Sequence, residues 1–468
     1  MKSKIIVNLI VFILLAFNLF LPSINALNDN AKDTSFWWIE TVDEIGSSGR
    51  YTSIDLDSNE YPHITHCRED GEGQLKYVYW TGSTWKREIV DSGDTVLTSS
   101  IAIDTNDCPH LAYCKNSKLI YAYKNGSEWN KTEIYVDGVY GIVSLELDSN
   151  NYPHICFHDY YGSRNVRYAH WNGSAWLLET VDSNGLVGFH NSISIDSSDC
   201  PHIAYNDYTR RRVKYSYKDS PDSEWQREII DTGGEYYFFY PTIDIDSNDC
   251  PHVGYYVDDD LFDLKYGYKD GISSEWHVET VISDERVGGT RSLALDSQDN
   301  PYFIYCNGTV GDLKYVRWNG TTWNKGTIDS EGSVGCCSEI VLDSNNRACI
   351  SYRAYDYCDL KFARETIIPE PIKPLGPQRS IARNTNIYTT SANHPNGSNL
   401  YYLWDWGDGT NSGWIGPYPS GMKVSASHSW FKERTYEMRV KVRDGNDQES
   451  GWSEPLVVVV TNPLLYIP

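Results

Sequence analysis

Basic residues and long apolar runs are both scarce in this chain. Its 468 residues include 40 Lys and Arg against 64 Asp and Glu, which gives a formal net charge of −24. A surface this acidic repels the phosphates of nucleic acids and the anionic headgroups of lipids. The composition therefore predicts no nucleic-acid partner and no peripheral membrane binding. The excess of acidic side chains is expected to serve either solubility or cation binding.

Helical periodicity is also missing beyond the N-terminal region, and only 3 Met are present. Tyr and Trp are plentiful instead, with 36 and 16 copies. Alternating apolar residues in short runs, separated by turn residues, are typical of strands. The sequence therefore predicts an all-β chain.

The one long apolar run extends from Ile5 to Leu21, with Lys2 and Lys4 before it and small or polar residues up to Ala26 after it. This order is that of a secretory signal peptide, which we assign to residues 1–26. An uncleaved membrane anchor is the alternative, because the run approaches the length of a spanning helix. We expect a secreted or cell-surface protein with no membrane attachment beyond this export signal.

One phrase recurs along the chain. Six close copies, of the type S-I-D-L-D-S-N-E-Y-P-H-I, and a degraded seventh begin at Ser53, Ser100, Ser144, Ser192, Thr242, Ser292 and Glu339. Each copy reads as two strands joined by an Asp-rich turn, and two further strands joined by an Asn-Gly-Ser type of turn follow it. Four strands in each repeat of this length are typical of a β-propeller.

The last repeat ends after Asp359–Glu365 and lacks its fourth strand. Ser35–Asp43, which precedes the first repeat, matches the fourth strand at Ser174–Asp182. The sequence therefore predicts a seven-bladed β-propeller over residues 36–368, in which the N-terminal strand closes the last blade and removes an open edge.

A second domain follows a Pro-rich linker at residues 369–378. In residues 379–462, the segments Trp404–Thr410 (WDWGDGT), Ser427–Trp430 and Thr435–Asp444 resemble the PKD domain, an immunoglobulin-like β-sandwich. The resemblance implies a role in adhesion or spacing and no catalysis.

Comparison of the repeats assigns the propeller two ends. The turns at one end are nearly uniform, whereas the loops at the other end differ in every repeat and are the expected place for a ligand. These loops are richest in aromatic and acidic residues in blades three to five. We predict ligand-binding residues there: Tyr160, Tyr161, Phe189, His190, Tyr208, Tyr237, Phe239, Asp258 and Asp259. Packing between blades is the alternative use of the aromatic residues.

Two sets of residues are candidate metal ligands. Five histidines recur at the start of the second strand, and equivalent positions on neighbouring blades are too far apart to share an ion, so we interpret them as structural: His63, His110, His154, His202 and His252. The Asp-rich turns, such as Asp246–Asp249, lack the full ligand count of a calcium loop, and calcium is the one cofactor that the sequence allows. The sequence also allows a disulfide among Cys306, Cys336, Cys337 and Cys358.

Three functions compete. The first is a surface or secreted binding and adhesion protein whose ligand is a glycan or a protein. The second is a carbohydrate-active enzyme, either a glycosidase or a polysaccharide lyase. The third is a structural envelope component.

The repeats loosely resemble the fucose-lectin propellers and the Asp-box propellers of sialidases, which carry a Trp after the third-to-fourth turn. The matching residues here are Trp85, Trp129, Trp176, Trp225, Trp276 and Trp323. No catalytic pair of carboxylates and no Tyr–Glu pair can be singled out. The sequence therefore assigns no catalytic residue.

Overall fold

The structure is a computed structural model, and it describes residues 36–68, 73–93, 96–136, 138–233, 237–257, 262–366, 368–394, 397–445 and 449–462. The predicted signal peptide, residues 1–26, lies outside these ranges. In the part of the chain that is described, no helix is long and apolar enough to span a membrane.

The first 28 strands of the described residues form seven four-stranded antiparallel sheets. The chain begins with β1 (Phe36–Asp43). Sheet 1 contains β2 (Arg50–Leu56), β3 (Pro62–Arg68), β4 (Gln74–Trp80) and β5 (Trp85–Ser92). Sheet 2 contains β6 (Val96–Ile103), β7 (Pro109–Lys115), β8 (Lys118–Asn125) and β9 (Glu128–Tyr135). Sheet 3 contains β10 (Val139–Leu147), β11 (Pro153–Asp159), β12 (Asn165–Trp171) and β13 (Trp176–Asp182).

The remaining four sheets repeat this order. Sheet 4 contains β14 (Val187–Ile195), β15 (Pro201–Asp207), β16 (Arg212–Tyr217) and β17 (Gln226–Thr232). Sheet 5 contains β18 (Phe238–Ile245), β19 (Pro251–Val257), β20 (Asp263–Tyr268) and β21 (His277–Ile282). Sheet 6 contains β22 (Val287–Leu295), β23 (Pro301–Asn307), β24 (Leu313–Trp318) and β25 (Trp323–Asp329). Sheet 7 contains β26 (Val334–Leu342), β27 (Ala348–Ala354), β28 (Asp359–Thr366) and β1.

The sheets form a closed ring. The first strand of each sheet contacts the first strand of the next, and β26 contacts β2. β1 takes the fourth position of sheet 7, where it runs antiparallel to β28 with Phe36 opposite Thr366. The core lies between consecutive sheets: Tyr168 of sheet 3 and Tyr205 of sheet 4, for example, are buried in one cluster. This architecture confirms the prediction of an all-β propeller fold.

The uniform turns between the first and second strands of each sheet are linked around the ring. Ser58 donates from its backbone N–H and its hydroxyl to the two carboxylate oxygens of Asp107 in the next sheet, both at 2.8 Å. Asp107 has a φ of 62°, a conformation that Asp and Asn adopt more readily than most residues. The same position carries a positive φ in every described turn of this kind: Glu60, Asn151, Asp199, Asp249, Asp299 and Asn346.

The recurring histidine has the structural role that the sequence predicts. In sheet 4, Nδ1 of His202 lies 2.5 Å from the hydroxyl of Tyr215, and Nε2 lies 3.2 Å from Asp196. The histidine therefore joins the second strand, the third strand and the Asp-rich turn. The same ring pairing occurs in four other sheets, between His63 and Tyr77, His110 and Tyr121, His154 and Tyr168, and His252 and Tyr266.

The C-terminal domain is a β-sandwich. Its strands are β29 (Arg379–Ile381), β30 (Asn386–Thr390), β31 (Leu400–Asp405), β32 (Ile415–Tyr418), β33 (Val424–His428), β34 (Arg434–Arg443) and β35 (Leu456–Thr461). A five-stranded sheet of order β29-β35-β34-β31-β32 faces the pair β30-β33 across a core that includes Trp404 and Trp430. The ring of Trp406 stacks on His428 at 4.6 Å, and Asp408 accepts a hydrogen bond from His428.

Part of the predicted Pro-rich linker belongs to this domain. The backbones of Leu375 and Thr389 exchange two hydrogen bonds, and Ile372 donates to the carbonyl of Ser391. Residues 372–375 are therefore attached to the edge of β30.

The disulfide that the sequence allows is not formed among its described members. Cys306, Cys337 and Cys358 are free thiols, and the side chain of Cys336 lies outside the description. Cys306 is buried, and its thiol donates to the carbonyl of Val334 at 3.3 Å. Its position in β23 therefore directs the sulfur to a backbone partner.

Candidate functional site

Aromatic side chains from three neighbouring sheets meet at the variable end of the ring. They come from the starts of β10 and β14, from the start of β18 and the residue before it, from the end of β11, and from the loops that follow β11 and β15, which all lie at that end. We call this group the aromatic cluster. Its members are Tyr140, His158, Tyr160, Tyr161, Phe189, His190, Tyr208, Tyr237 and Tyr240.

The rings form a continuous run across the three sheets. Tyr161 lies 5.1 Å from Tyr160, and Tyr160 lies 6.2 Å from Phe189. Phe189 lies 6.0 Å from Tyr208, which in turn lies 5.8 Å from Tyr237. These centroid distances are within the range of favourable aromatic contacts.

Two further rings widen the run. Tyr140 lies 5.4 Å from Tyr160 and 6.0 Å from Phe189. Tyr240 lies 4.0 Å from His190 and also lines the mouth of the central channel. The cluster therefore extends from the outer loop of sheet 3 to the channel.

Exposure divides the cluster into two layers. Tyr161 is 66% exposed and Tyr140 is 36% exposed, whereas His158 and His190 are buried. Tyr160, Phe189, Tyr208 and Tyr237 are partly buried. The histidines thus form a floor, and the tyrosines present ring faces and hydroxyls to solvent.

His158 is held neutral in this floor. Burial lowers its pKa to about 4, although nearby backbone groups of Tyr140 and Arg164 oppose the shift. Its ring packs edge-on against Tyr160 at 5.7 Å and against Phe189 at 5.8 Å. The imidazole therefore supports the exposed rings and carries no charge at neutral pH.

Asp159 fixes the loop that carries the two most prominent tyrosines. Its carboxylate accepts hydrogen bonds from the backbone of Gly162 at 2.9 Å and from the hydroxyl of Ser163 at 2.8 Å. Burial raises the pKa of Asp159, but hydrogen bonds, chiefly those from Ser163, outweigh burial and hold it below its usual range. The backbone N–H groups of Tyr160 and Tyr161 both donate to the carbonyl of Gly138.

Gly138 is required at this point. Its φ is 92°, and a Cβ there would lie 2.8 Å from a carboxylate oxygen of Asp159. A side chain would therefore strain the backbone and displace Asp159. This close approach ties the start of β10 to the loop after β11.

Three consecutive arginines, from the loop after β15 and the start of β16, border the cluster. The guanidinium of Arg211 lies 5.0 Å from the centre of the Tyr237 ring. Arg210 donates to the side chain of Asn184 at 2.8 Å.

Arg210 and Arg212 line a groove of about 630 Å³ that also contains Lys214 and Arg227. Three carboxylates line the same groove, and two of them pair with its cations: Asp182 with Lys214 and Asp207 with Arg210. Arg212 is thus a guanidinium of the groove that a ligand can reach.

The structure brings together six of the nine predicted site residues: Tyr160, Tyr161, Phe189, His190, Tyr208 and Tyr237. Phe239 lies on β18 opposite Tyr256, but its side chain is outside the description. Asp258 and Asp259 are outside the described residues. That these residues bind a ligand stays a prediction.

Sequence reasoning missed Tyr140, His158 and Tyr240 as members of the cluster. A signal was present for Tyr140, because it lies at the start of the first strand of its repeat, near the position of Phe189 in the next. His158 and Tyr240 lie in segments that the sequence had already marked as variable.

The described residues contain no group of three or more His, Cys, Asp or Glu side chains arranged to hold a metal ion. In the turn considered for calcium, Asp246 accepts hydrogen bonds from the backbones of Asn248 and Cys250, and Asp249 binds Ser197. The carboxylate of Asp246 therefore stabilises its own turn, and that of Asp249 links this turn to the turn of the preceding sheet.

No protein-family model and no curated protein matches the sequence. Solved structures do match. An ulvan lyase, described as a new family of polysaccharide lyase and bound to -[GlcA(1-4)Rha3S]-, aligns over 69% of this chain and 94% of its own, with a TM-score of 0.50 and 11% identity. The Aleuria aurantia lectin aligns over 62% of this chain and 98% of its own, with a TM-score of 0.43 and 12% identity.

The C-terminal region has a separate match. The PKD domain of an M14-like peptidase from a Thermoplasmatales archaeon aligns over 21% of this chain and 98% of its own, with 38% identity and a TM-score of 0.20. The likeness to the lyase shows the fold alone.

Proposed function

We propose that the protein binds polysaccharide at the aromatic cluster. In this proposal the propeller is seven-bladed and the C-terminal β-sandwich is a PKD domain that spaces it. The signal-like N-terminal segment supports a secreted or cell-surface location. The observation that carries the proposal is the continuous run of half-exposed rings from Tyr161 to Tyr237.

The chemistry of the run suits sugar rings. A pyranose has an apolar face of C–H groups and an edge of hydroxyls. Tyrosine offers the complementary pair, an apolar ring face and a polar hydroxyl at its tip. A row of such rings across three sheets supports several consecutive sugar residues, as a polysaccharide requires.

The bordering arginines favour an acidic polysaccharide. Arg212 lines the groove beside the cluster, and a guanidinium binds carboxylate or sulfate through paired hydrogen bonds. The ulvan lyase of similar fold holds an oligosaccharide that contains GlcA. We therefore expect uronate-containing or sulfated chains to bind more tightly than neutral ones.

Tyr161→Ala tests the proposal. Because Tyr161 is 66% exposed, its removal should leave the melting temperature unchanged while it weakens binding by about tenfold, or 1.4 kcal/mol. The matched control is Tyr357→Ala, since Tyr357 is 63% exposed and lies in sheet 7, away from the cluster. Binding is measured on a glycan array and then by calorimetry with the acidic polysaccharide that gives the strongest signal.

Equal affinities of Tyr161→Ala, Tyr357→Ala and the unmodified protein would refute the proposed site. Arg212→Glu tests the charge preference separately. It should weaken binding of acidic chains by at least tenfold and leave neutral chains unaffected.

Catalysis is the second candidate, and the neutral imidazole of His158 is the observation that favours it. In a polysaccharide lyase, a neutral base removes the proton at C5 of a uronate, the C4–O bond breaks, and an acid protonates the leaving oxygen. His158, however, is buried beneath Tyr160 and Phe189, so a substrate could reach it only if those rings moved. The geometry therefore favours binding.

The assay that separates the two candidates follows the absorbance of the unsaturated uronate that elimination leaves. Binding without this product supports a binding protein. Product formation that His158→Ala abolishes supports the lyase.

A further inference from the structure

The junctions between consecutive sheets, which we call seams, are closed in three places by one repeated arrangement. At the seam between sheets 1 and 2, Nζ of Lys124 lies 2.6 Å from a carboxylate oxygen of Glu88. The indole N–H of Trp129 donates to the other oxygen of Glu88 at 3.3 Å. The lysine thus fills the space between the two sheets near the uniform end of the ring.

The same three residue types close two more seams. Between sheets 3 and 4 they are Lys218, Glu179 and Trp225, and between sheets 4 and 5 they are Lys269, Glu228 and Trp276. In both seams the indole N–H reaches the carboxylate at 2.8 Å. The arrangement therefore recurs at three of the seven seams.

The other four seams depart from it. At the seam between sheets 7 and 1, Trp80 takes the lysine position, but the indole N–H of Trp85 still donates to Glu40 at 2.6 Å.

Two of the remaining seams contain a cavity. At the seam between sheets 2 and 3, Trp171 replaces the lysine and Thr132 replaces the glutamate, and the cavity measures about 420 Å³. At the seam between sheets 5 and 6, Trp318 replaces the lysine while Glu279 keeps the glutamate position, and the cavity measures about 450 Å³. Both volumes lie in the range of small-molecule sites.

Aromatic rings line both cavities. In the first, Trp171 and Trp176 pack edge-on at 5.9 Å, and Tyr123 is 38% exposed. In the second, Trp318 and Trp323 pack edge-on at 5.4 Å, and Tyr266 stacks on Tyr268 at 5.2 Å. Each cavity therefore has flat apolar walls.

The second cavity also has polar groups without partners. The indole N–H of Trp323 is buried and has no hydrogen-bond partner among the described residues. No described cation pairs with Glu279, whose counterparts in the closed seams each bind a lysine and a tryptophan. One donor that the closed seams satisfy internally, the Trp323 indole, is thus left over at this seam, and the exposed carboxylate of Glu279 stands beside it.

We propose that these two seams are binding pockets for a single neutral sugar residue, separate from the aromatic cluster and at the opposite end of the propeller. The aromatic walls fit the apolar face of a pyranose, and Glu279 accepts hydrogen bonds from its hydroxyls. The carboxylates of Glu279, Asp270 and Asp299 at the second pocket repel an anionic sugar. The two pockets do not depend on ligand binding at the aromatic cluster.

The test restores the closed arrangement. Trp318→Lys recreates the lysine–glutamate pair with Glu279, and Thr132→Glu with Trp171→Lys recreates it at the other seam. The protein already folds with this pair at three seams, so we expect the melting temperature to be retained. The probes are methyl glycosides of glucose, galactose, mannose and fucose, titrated against protein labelled with fluorotryptophan and followed by fluorine NMR.

In the unmodified protein, at least one glycoside should shift the resonances of Trp171 and Trp176 or of Trp318 and Trp323. Closing a seam should abolish the shifts at that seam and leave those at the other intact. Glu279→Gln, a milder change, should weaken binding at the second pocket by at least fivefold. If a closed variant fails to fold, the affinity of Glu279→Gln tests the second pocket instead.

The inference is overturned if no glycoside shifts these resonances, or if the closed variants titrate like the unmodified protein. Tyr161→Ala serves as the cross-control. Loss of polysaccharide binding in Tyr161→Ala with unchanged tryptophan shifts supports both sites, whereas tryptophan shifts in a protein that binds no polysaccharide support the seams alone.

Discussion

Ser344 and Glu60 are 284 positions apart, yet the backbone N–H of Ser344 donates to the carboxylate of Glu60 at 3.1 Å. The hydroxyl of Ser344 binds the same oxygen. This contact joins the turn of the last repeat to the turn of the first. It closes a ring of turn-to-turn hydrogen bonds in which each repeat binds the next.

Loss of this contact should lower stability. Glu60→Ala removes the acceptor at a partly buried position, together with its ion pair to Arg364 at 3.5 Å, and we expect the free energy of unfolding to fall by about 1 kcal/mol. Glu60→Asn should be tolerated, because Asn346 serves the same position with a φ of 60°. Denaturant unfolding measures both. The control is Glu44→Ala, which removes an exposed carboxylate; a loss in Glu60→Ala no larger than in this control contradicts the prediction.

Asp43 should make a larger contribution, because it anchors β1 to sheet 1. Its buried carboxylate accepts from Nζ of Lys76 at 2.7 Å and lies 3.2 Å from Nε2 of His66. Asp43→Ala leaves the lysine charge buried without its partner, and we expect a loss of about 3–5 kcal/mol. The double variant Asp43→Ala with Lys76→Met should recover part of this loss in denaturant unfolding. A double variant less stable than Asp43→Ala would show that the ion pair is not the cause.

The pH dependence of this anchor follows from its pKa. Burial raises the pKa of Asp43, but hydrogen bonds from His66 and Lys76 outweigh it and hold the value well below the usual range. A carboxyl with a lowered folded pKa stabilises the fold above its unfolded pKa, about 3.9. Its contribution is lost only as the pH falls below that value.

The repeat architecture could be predicted from the sequence because each sheet is specified locally. Alternating apolar residues, a Pro at the start of the second strand and Asn-Gly turns recur in register, and the match of Ser35–Asp43 to Ser174–Asp182 pointed to the strand that pairs with β28. The loops around Tyr160, Phe189 and Tyr208 stood out because they vary between repeats. Patterns that lie within one repeat can be recognised without knowing how neighbouring sheets pack against each other.

Features that depend on contacts between sheets could not be predicted in the same way. The neighbours of Tyr140 are Tyr160 and Phe189, which come from two different sheets. The replacement of a lysine by Trp171 is visible in the sequence. The cavity that results cannot be predicted from the sequence, because the carboxylate that would pair with such a lysine lies on the preceding sheet, as Glu88 does for Lys124.

Acidic side chains in the central channel should make the fold more stable at mildly acidic pH. Burial raises the pKa of Asp55 and of Asp244 to about 6, and burial together with neighbouring acids raises the pKa of Glu146 well above its usual range. The folded protein therefore binds more protons than the unfolded chain between about pH 4 and pH 6. Stability should rise as the pH falls from 7 to 5.

Glu146→Gln tests this mechanism. No hydrogen-bond partner of Glu146 is found among the described residues, so the change removes charge from the channel and costs no described contact. We expect a higher melting temperature than the unmodified protein at pH 7 and a smaller difference at pH 5. The control is Glu128→Gln, at an exposed position on β9. The same melting temperatures for Glu146→Gln and the unmodified protein at both pH values would argue against charge repulsion in the channel.

Asp159 should affect ligand binding only indirectly, because it holds the loop with Tyr160 and Tyr161 in position. Its carboxylate orders the loop that carries Tyr160 and Tyr161 by accepting from Gly162 and Ser163. Asp159→Ala should weaken polysaccharide binding by about tenfold, or 1.4 kcal/mol, without removing a ring. It should also speed hydrogen exchange at the amides of residues 160–164, a change that loss of a direct ligand contact would not produce.

The conservative variant Asp159→Asn keeps one acceptor oxygen and should restore part of both effects. Because the hydrogen bonds hold the pKa of Asp159 below its usual range, the loop should stay ordered down to about pH 4 and loosen below it, as protonation removes the acceptor. Exchange rates of residues 160–164 measured across this range check the sign. Faster exchange in Asp159→Ala with unchanged affinity would show that the order of this loop is not what binding requires.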